Sequence, residues 1–408
     1  MENITGKAVT YRNYLKTRLY LVDELKGLAR NNSVIIEAPR RFGKTSVIKE
    51  LIRQENAISQ IDREFNLIFL ELEGEETIEH FCFKFFRELL GLYHVRRNAE
   101  KISQLLGDAW NVLAARIGKV GMPEVEIELR ERTRQFSFTE WKEKISPLIT
   151  GLNSLDKNTI IVFDEFPDML ANFKNKANNQ EVYRAMADIL TGWLRTLRQS
   201  TDGGRKYQFV FCGSVNLRKT LEKLGISKRI NDLESLSVPP MTIAEARVLI
   251  TALCEEYQMS IDPDGTEFLI DKIALGSPYY GQILVKALRD TREISFNAST
   301  VRAIYEAMLR NGNHDLNHFH SRLEDYLTPL EREIAANILL HLCREACHEQ
   351  QLYQSFFYEK SEYEIFQNVV DRLIFEGYLT RDLSIKNNLR FVSPLLKDWW
   401  SCKKIGGI

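Results

Sequence analysis

A lysine, a threonine and two adjacent carboxylates stand in settings that suggest chemistry on phosphate. In "EAPRRFGKTSVI" (37–48), Gly43, Lys44 and Thr45 follow Ala38 after four residues, behind the β-branched run "SVIIEA" (33–38). The spacing is that of a phosphate-cradling loop, G-x-x-x-x-G-K-[ST], with alanine in the place of the first glycine. Gly43 lets the backbone turn so that successive N–H groups face an anion, and a helix starting near Thr45 adds its positive end. Lys44 would reach the outer phosphates, and the Thr45 hydroxyl would ligate Mg²⁺. None of these roles needs a side chain at position 38, and alanine fits there at negative φ. Ala38, Pro39, Arg40, Arg41, Phe42, Gly43, Lys44, Thr45 and Ser46 are the candidate binding set. The alternative is a strand-turn-helix corner that binds nothing.

The carboxylates lie further along, in "IIVFDEFPDML" (160–170), where four apolar residues precede Asp164 and Glu165. A buried strand that delivers two acids at its C-terminal end puts Asp164 at a metal and Glu165 at an attacking water, the arrangement that phosphoryl transfer to water requires. This is the Walker B pattern, in the right order after the loop. Glu165 argues for hydrolysis rather than binding alone. A third strand end, "FVFCGSVNL" (209–217), offers Ser214 as a polar sensor of the γ-phosphate, although "GS" after a strand is also ordinary turn chemistry. Arg40, Arg41, Arg218 and Arg229 are candidate charge stabilisers. No N/T-K-x-D element reads guanine: "NKAN" (175–178) lacks the acid.

Positioning these residues requires a parallel sheet. "SVIIEA" (33–38), "LIFLEL" (67–72), "TIIVFDE" (159–165) and "YQFVFCG" (207–213) are short, apolar and β-branched or aromatic, as strands covered on both faces must be. Helical spacing of apolar residues over 77–93, 101–118, 137–153 and 181–199 supplies the covering helices. From about 240 onward the pattern turns helical. "SVPP" (237–240) and the polar stretch "NGNHDLNHFH" (311–320) mark breaks, which predict segments 1–238, 239–318 and 319–408.

The 408 residues exceed one ordinary core, and 44% hydrophobic with 27% charged residues describe a soluble globular chain. No run approaches the roughly 20 apolar residues of a membrane helix. The beginning "MENITGKAVTYRNYLK" lacks the apolar core of a signal peptide, and six cysteines without a framework spacing fit a reducing cytoplasm. A net charge of -1 gives no polybasic field, so any contact with DNA must be local.

Taken together, "EAPRRFGKTSVI", "IIVFDEFPDML", "FVFCGSVNLRKTLEKLGIS", "RINDLESLSVPPMTIAEARVLI", "GSPYYGQILVKAL" and "FVSPLLKDWW" make the chain resemble, over nearly its whole length, the archaeal-type ATPases of the STAND class of P-loop proteins, relatives of the AAA+ superfamily. The resemblance implies an α/β P-loop NTPase core, a RecA/AAA-like parallel sheet with flanking helices, followed by a helical lid and a C-terminal winged-helix domain. Origin-recognition ATPases of the Cdc6 kind share that architecture. It also implies ATP rather than GTP, and a lid element, here Gly276, Ser277 and Pro278, close to the nucleotide.

Residues 319–408 are read independently as helix (329–347), helix (362–377) and a hairpin (378–393). Arg372, Arg381, Lys386 and Arg390 are available there for phosphate. Over 321–408, however, 11 Lys and Arg stand against 13 Asp and Glu, where a duplex-binding module is usually basic. A protein-docking or core-packing role is the stronger expectation. His341, Cys343, Cys347 and His348 are zinc-type ligands, but on one continuous helix they cannot close a tetrahedron, so buried cysteines are expected. His314, His318 and His320 read as a solvated loop. Three functions compete: an ATP-hydrolysing switch, a DNA-acting ATPase like origin initiators or transposition regulators, and a scaffold that holds ATP without turning it over. A homo-oligomer, with an arginine supplied by a neighbour, is a weak expectation.

Overall fold

Five strands, not four, build the central sheet of this computed structural model, which describes residues 8–9, 13–95, 136–200, 204–213, 216–310, 314–356, 363–382 and 388–405. The helix expected over 101–118, Ser214 and Lys386 lie outside these residues. The chain forms two compact units. One comprises Leu21–Glu37 and Leu51–Ser237, the other Met1–Tyr20, Ala38–Glu50 and Val238–Ile408.

The first unit holds strands β1 (Val34–Glu37), β2 (Phe65–Glu71), β3 (Asn158–Asp164), β4 (Tyr207–Phe211) and β5 (Glu234–Ser237), in the order β2-β3-β4-β1-β5 with every pair parallel. Ile160, Ile161, Val162 and Phe163 of β3 are fully buried, which is why this strand reads as an unbroken apolar run. Strand β5, "ESLS", escaped the sequence reading because it lies at the sheet edge and buries only Leu236. Helices α1 (Tyr20–Ala29) and α2 (Lys44–Ala57) bracket β1 in sequence. Helices α3 (Ile78–Val95), α4 (Phe138–Gly151), α5 (Phe166–Lys176), α6 (Gln180–Gln199) and α7 (Leu217–Lys223) follow. Helix α4 starts where Ser137 and Glu140 close a capping box, a device worth about 1 kcal/mol.

The core of this unit is aromatic. Phe163 meets Phe81 at 5.5 Å, Phe85 at 5.4 Å, and Phe209 and Phe211 at 5.3 Å between ring centroids. That packing anchors β3 at Phe163, one residue before the strand ends at Asp164.

In the second unit, α8 (Ile243–Glu256), α9 (Pro263–Ile273), α10 (Pro278–Asp290) and α11 (Ala298–Arg310) pack with a small parallel pair, β6 (Ser260–Ile261) and β7 (Ser295–Phe296). Next come α12 (His314–Tyr326), α13 (Pro329–Leu342), β8 (Cys347–His348), α14 (Glu349–Phe356), α15 (Tyr363–Phe375), β9 (Leu379–Arg381), β10 (Asn388–Phe391) and α16 (Pro394–Ile405). The last three strands form an antiparallel sheet in the order β8-β10-β9.

Two expectations need correction here. The helix expected over 329–347 stops at Leu342, Cys343 caps it, and Cys347 enters β8 because its backbone pairs with Leu389. The stretch 314–320 is helical rather than a loop; His320 stacks on Trp400 with ring centroids 6.1 Å apart. Among the described residues no helix is long and apolar enough to cross a membrane.

Candidate functional site

Strand β1 ends at Glu37 and α2 begins at Lys44, so residues 38–43 are the turn between them. Arg41 has φ 67° and Gly43 φ 93°. Left-handed residues in a tight turn that runs into a helix N-terminus make the concave amide geometry that holds anions. For a non-glycine residue such as Arg41 that conformation costs about 1 to 3 kcal/mol, so its surroundings must hold it there. Ala38 lies outside the positive-φ set, and the proline after it favours extended backbone, so its methyl group strains nothing. The alanine in place of glycine is thereby explained.

Lys44 is buried, and its ammonium donates to the carbonyls of Ala38 at 2.8 Å and Pro39 at 3.0 Å, closing the loop on itself. Phe42 is buried beside it. Thr45 occupies the first turn of α2, and the Ser46 hydroxyl accepts from the Val9 N–H at 3.1 Å. Pro278 is the first residue of α10, capped by Ser277, whose hydroxyl donates to the Arg41 carbonyl. Ser277 thus lies against the turn between β1 and α2.

The carboxylates lie in the sheet unit. Asp164 is the last residue of β3 and is buried, and its carbonyl accepts from Leu72 N–H at 2.9 Å. Glu165 leaves the strand at φ 55°, ψ 29° and caps α5, which ends the pleat at that point. Phe166 N–H donates to the Cys212 carbonyl at 3.1 Å, and Cys212 N–H to that of Phe163 at 3.0 Å, lacing the ends of β3 and β4 together. Gly213 completes the lacing, since a β carbon there would lie 2.4 Å from Pro167 Cδ and 3.2 Å from an Asp168 carboxylate oxygen. Because the sheet is parallel throughout, β1, β3 and β4 all end at the same edge.

The chain is similar to a Walker-type ATPase of Pyrococcus abyssi, with a TM-score of 0.57 and 12% identity over 95% of each chain. The fold is that of a P-loop NTPase. An ORC2 protein of Aeropyrum pernix, solved in ADPNP–ADP complexes, aligns over 95% of this chain and 92% of its own, at 14% identity and a TM-score of 0.48. No protein-family model and no curated protein matches the sequence.

Within this P-loop fold the candidate arginines have definite partners. Arg218 donates to Glu37 at 3.1 Å and to Ser235 Oγ at 2.7 Å, and Ser235 donates back to Glu37 at 2.8 Å. Arg229 forms a two-pronged pair with Asp188 at 2.7 and 3.0 Å, and that bond holds the Asp188 carboxyl below its ordinary range. Arg41 lies over the Tyr279 ring at 3.8 Å, and burial lowers its pKa from the usual arginine value. The C-terminal arginines named as available for phosphate are likewise engaged: Arg381 with Glu349 and Asp371 at 3.3 and 3.1 Å, Arg390 with Asp382 at 3.6 Å, and Arg372 with Glu376 at 3.2 Å.

The single-helix geometry that counted against zinc does not occur, because Cys343 caps α13 and Cys347 lies in β8. Among the described residues no group of three or more His, Cys, Asp or Glu side chains could hold a metal. Spacing alone could not reveal Gly213, since it matters through a contact with Pro167, a residue on another element.

Proposed function

We propose that the protein binds and hydrolyses ATP with Mg²⁺. The observation that carries this reading is the phosphate loop, where left-handed Arg41 and Gly43 lead into α2 and the buried Lys44 spans the loop's first two carbonyls. Ala38 to Ser46 cradle the polyphosphate, and Lys44 offsets the charge on its outer groups. Thr45 and Asp164 are the proposed metal ligands. One hydroxyl and one carboxylate are the hard, sparse donor set that suits an ion drawing its remaining ligands from phosphate and water. When bound, Mg²⁺ supplies charge neutralisation across the β- and γ-phosphates. Glu165 accepts a proton from the water whose oxygen bonds to the γ-phosphorus, as the bond from that phosphorus to the β–γ bridging oxygen breaks and ADP leaves. Ser214, outside the described residues, is the proposed γ-phosphate sensor, and Pro278 borders the nucleotide from the lid.

The larger reading is a conformational switch of the STAND or AAA+ kind, with segments 1–238, 239–318 and 319–408 as ATPase core, lid and winged helix. The order α13, β8, α14, α15, β9, β10, α16 supports the last assignment. A cytoplasmic location is proposed from six cysteines that are all free. The experiment is steady-state phosphate release from Mg·ATP by wild type and Glu165→Gln. Turnover that depends on Glu165 supports the enzyme. Nucleotide that stays bound and never turns over would leave an ATP-stabilised scaffold, and no binding at all would end the proposal.

A further inference from the structure

The phosphate loop is gripped from outside by elements more than 230 residues away in sequence. The Ser277 hydroxyl donates to the Arg41 carbonyl, and the Phe375 carbonyl accepts from the Arg40 N–H at 3.2 Å. Gly377, whose φ of 82° favours glycine, lies against the loop, where a β carbon would be in ordinary contact with the Arg40 carbonyl oxygen at 3.5 Å and Pro39 Cβ at 3.6 Å. The Arg41 guanidinium lies 3.8 Å from the centre of the Tyr279 ring and 5.5 Å from that of Phe319.

The gripping elements are themselves held. Glu376, between the two contact residues, is buried and ion-paired to Arg322 at 2.8 Å and Arg372 at 3.2 Å. Tyr280 donates to the Gly377 carbonyl at 3.4 Å, and the Tyr378 hydroxyl donates to the Phe319 carbonyl.

These contacts converge on Arg40 and Arg41, and Arg41 is the loop residue whose left-handed backbone is costly. The Ser277 bond acts on a carbonyl group, which cannot receive an anion, so it does not compete with phosphate for the loop, whereas the Phe375 carbonyl occupies the Arg40 N–H and leaves the anion to the later amides of the turn. We propose that Ser277 and the turn Phe375–Gly377 are positioning residues: they hold Arg40 and Arg41 in the anion-ready conformation, so that nucleotide binding and the seating of the C-terminal elements on the loop reinforce each other. The inference rests on residues 38–46 being the nucleotide site. If the grip is released, only part of the population presents a competent loop, and apparent affinity falls by that fraction.

The test is calorimetric titration of the full-length protein with Mg·ADP and Mg·ATP, comparing wild type, Ser277→Ala, Ser277→Thr, Gly377→Ala and Lys44→Ala. Each unliganded melting temperature is recorded alongside. Ser277→Ala is expected to raise Kd on the order of tenfold with a nearly unchanged unliganded melting temperature, and Gly377→Ala to raise Kd similarly while also lowering the melting temperature, because its backbone sits at φ 82°. Ser277→Thr, which keeps the hydroxyl donor, is expected to restore most of the affinity. Should Gly377→Ala not fold, the Ser277 pair decides alone. Wild-type affinity in Ser277→Ala overturns the proposal, and tighter binding overturns it by showing that these elements obstruct the loop. Loss of binding in Lys44→Ala alongside such a result would leave the nucleotide reading standing. A wild type that binds neither nucleotide would sink both.

Discussion

Lys44 shows how a single residue can serve both structure and chemistry. Its ammonium bonds to the carbonyls of Ala38 and Pro39, so it shapes the loop that the phosphates would occupy. Lys44→Ala removes both the charge and that bridge, and is expected to abolish nucleotide binding in a titration. Glu165→Gln keeps the shape of the side chain and loses only its basicity, so binding is expected to persist while phosphate release falls on the order of 10²-fold or more. Equal turnover in both variants and wild type would refute the assignment. Gly213 carries a purely steric prediction. The 2.4 Å approach to the Pro167 ring leaves no room for a methyl group, so Gly213→Ala is expected to cost about 1 to 3 kcal/mol by denaturant titration. An unchanged midpoint would mean that α5 can shift without penalty.

Between elements, the pair Arg229–Asp188 ties α6 to the short 3-10 turn Ser227–Ile230, with Arg229 crossing Gly192, where a β carbon would lie 3.3 Å from its Cζ. The Asp188 carboxyl is held low by its bond to Arg229, so its contribution is present above the unfolded carboxylate pKa of about 3.9 and lost as pH falls through the lower folded value. Both side chains are about one-third exposed (36% and 35%), which limits the effect to less than about 1 kcal/mol. Wild type is therefore expected to exceed Asp188→Asn in denaturation midpoint near neutrality, and the gap to begin closing only below about pH 4 as pH falls through the lower folded value. A gap that widened on acidification would contradict the pairing. Strands such as β3 were legible because burial on both faces demands an uninterrupted apolar run, and α4 because its buried Trp141, Ile145, Leu148 and Ile149 recur at helical spacing. Strand β5 was not, since an edge strand with one buried leucine carries no such run. The end of α13 was hidden as well: Cys347 pairs with Leu389, a partner that no helical period can reveal. In the candidate site the loop and the acids were readable from spacing, whereas Ser277, Phe375 and Gly377 act on the loop through contacts across hundreds of residues.

On the scale of the whole molecule, the question is whether turnover answers to DNA. The chain has a net charge of -1, and residues 321–408 carry 11 basic against 13 acidic side chains, so no broad positive field draws a duplex. The local candidates do not make up the deficit. Arg372, Arg381 and Arg390 each lie against a carboxylate, and moving one to a phosphate would break an existing ion pair. Arg372 would be especially costly to move, because its partner Glu376 is buried and would be left with one fewer counter-charge. Phosphate release by wild type, measured with and without duplex DNA at two salt concentrations, is expected to be the same in all four conditions within about twofold, a difference of less than 1 kcal/mol in barrier. Stimulation by DNA that fades steeply as salt rises would reverse this conclusion. It would require that the C-terminal ion pairs open on contact with the duplex, and a protein partner would no longer be the better expectation.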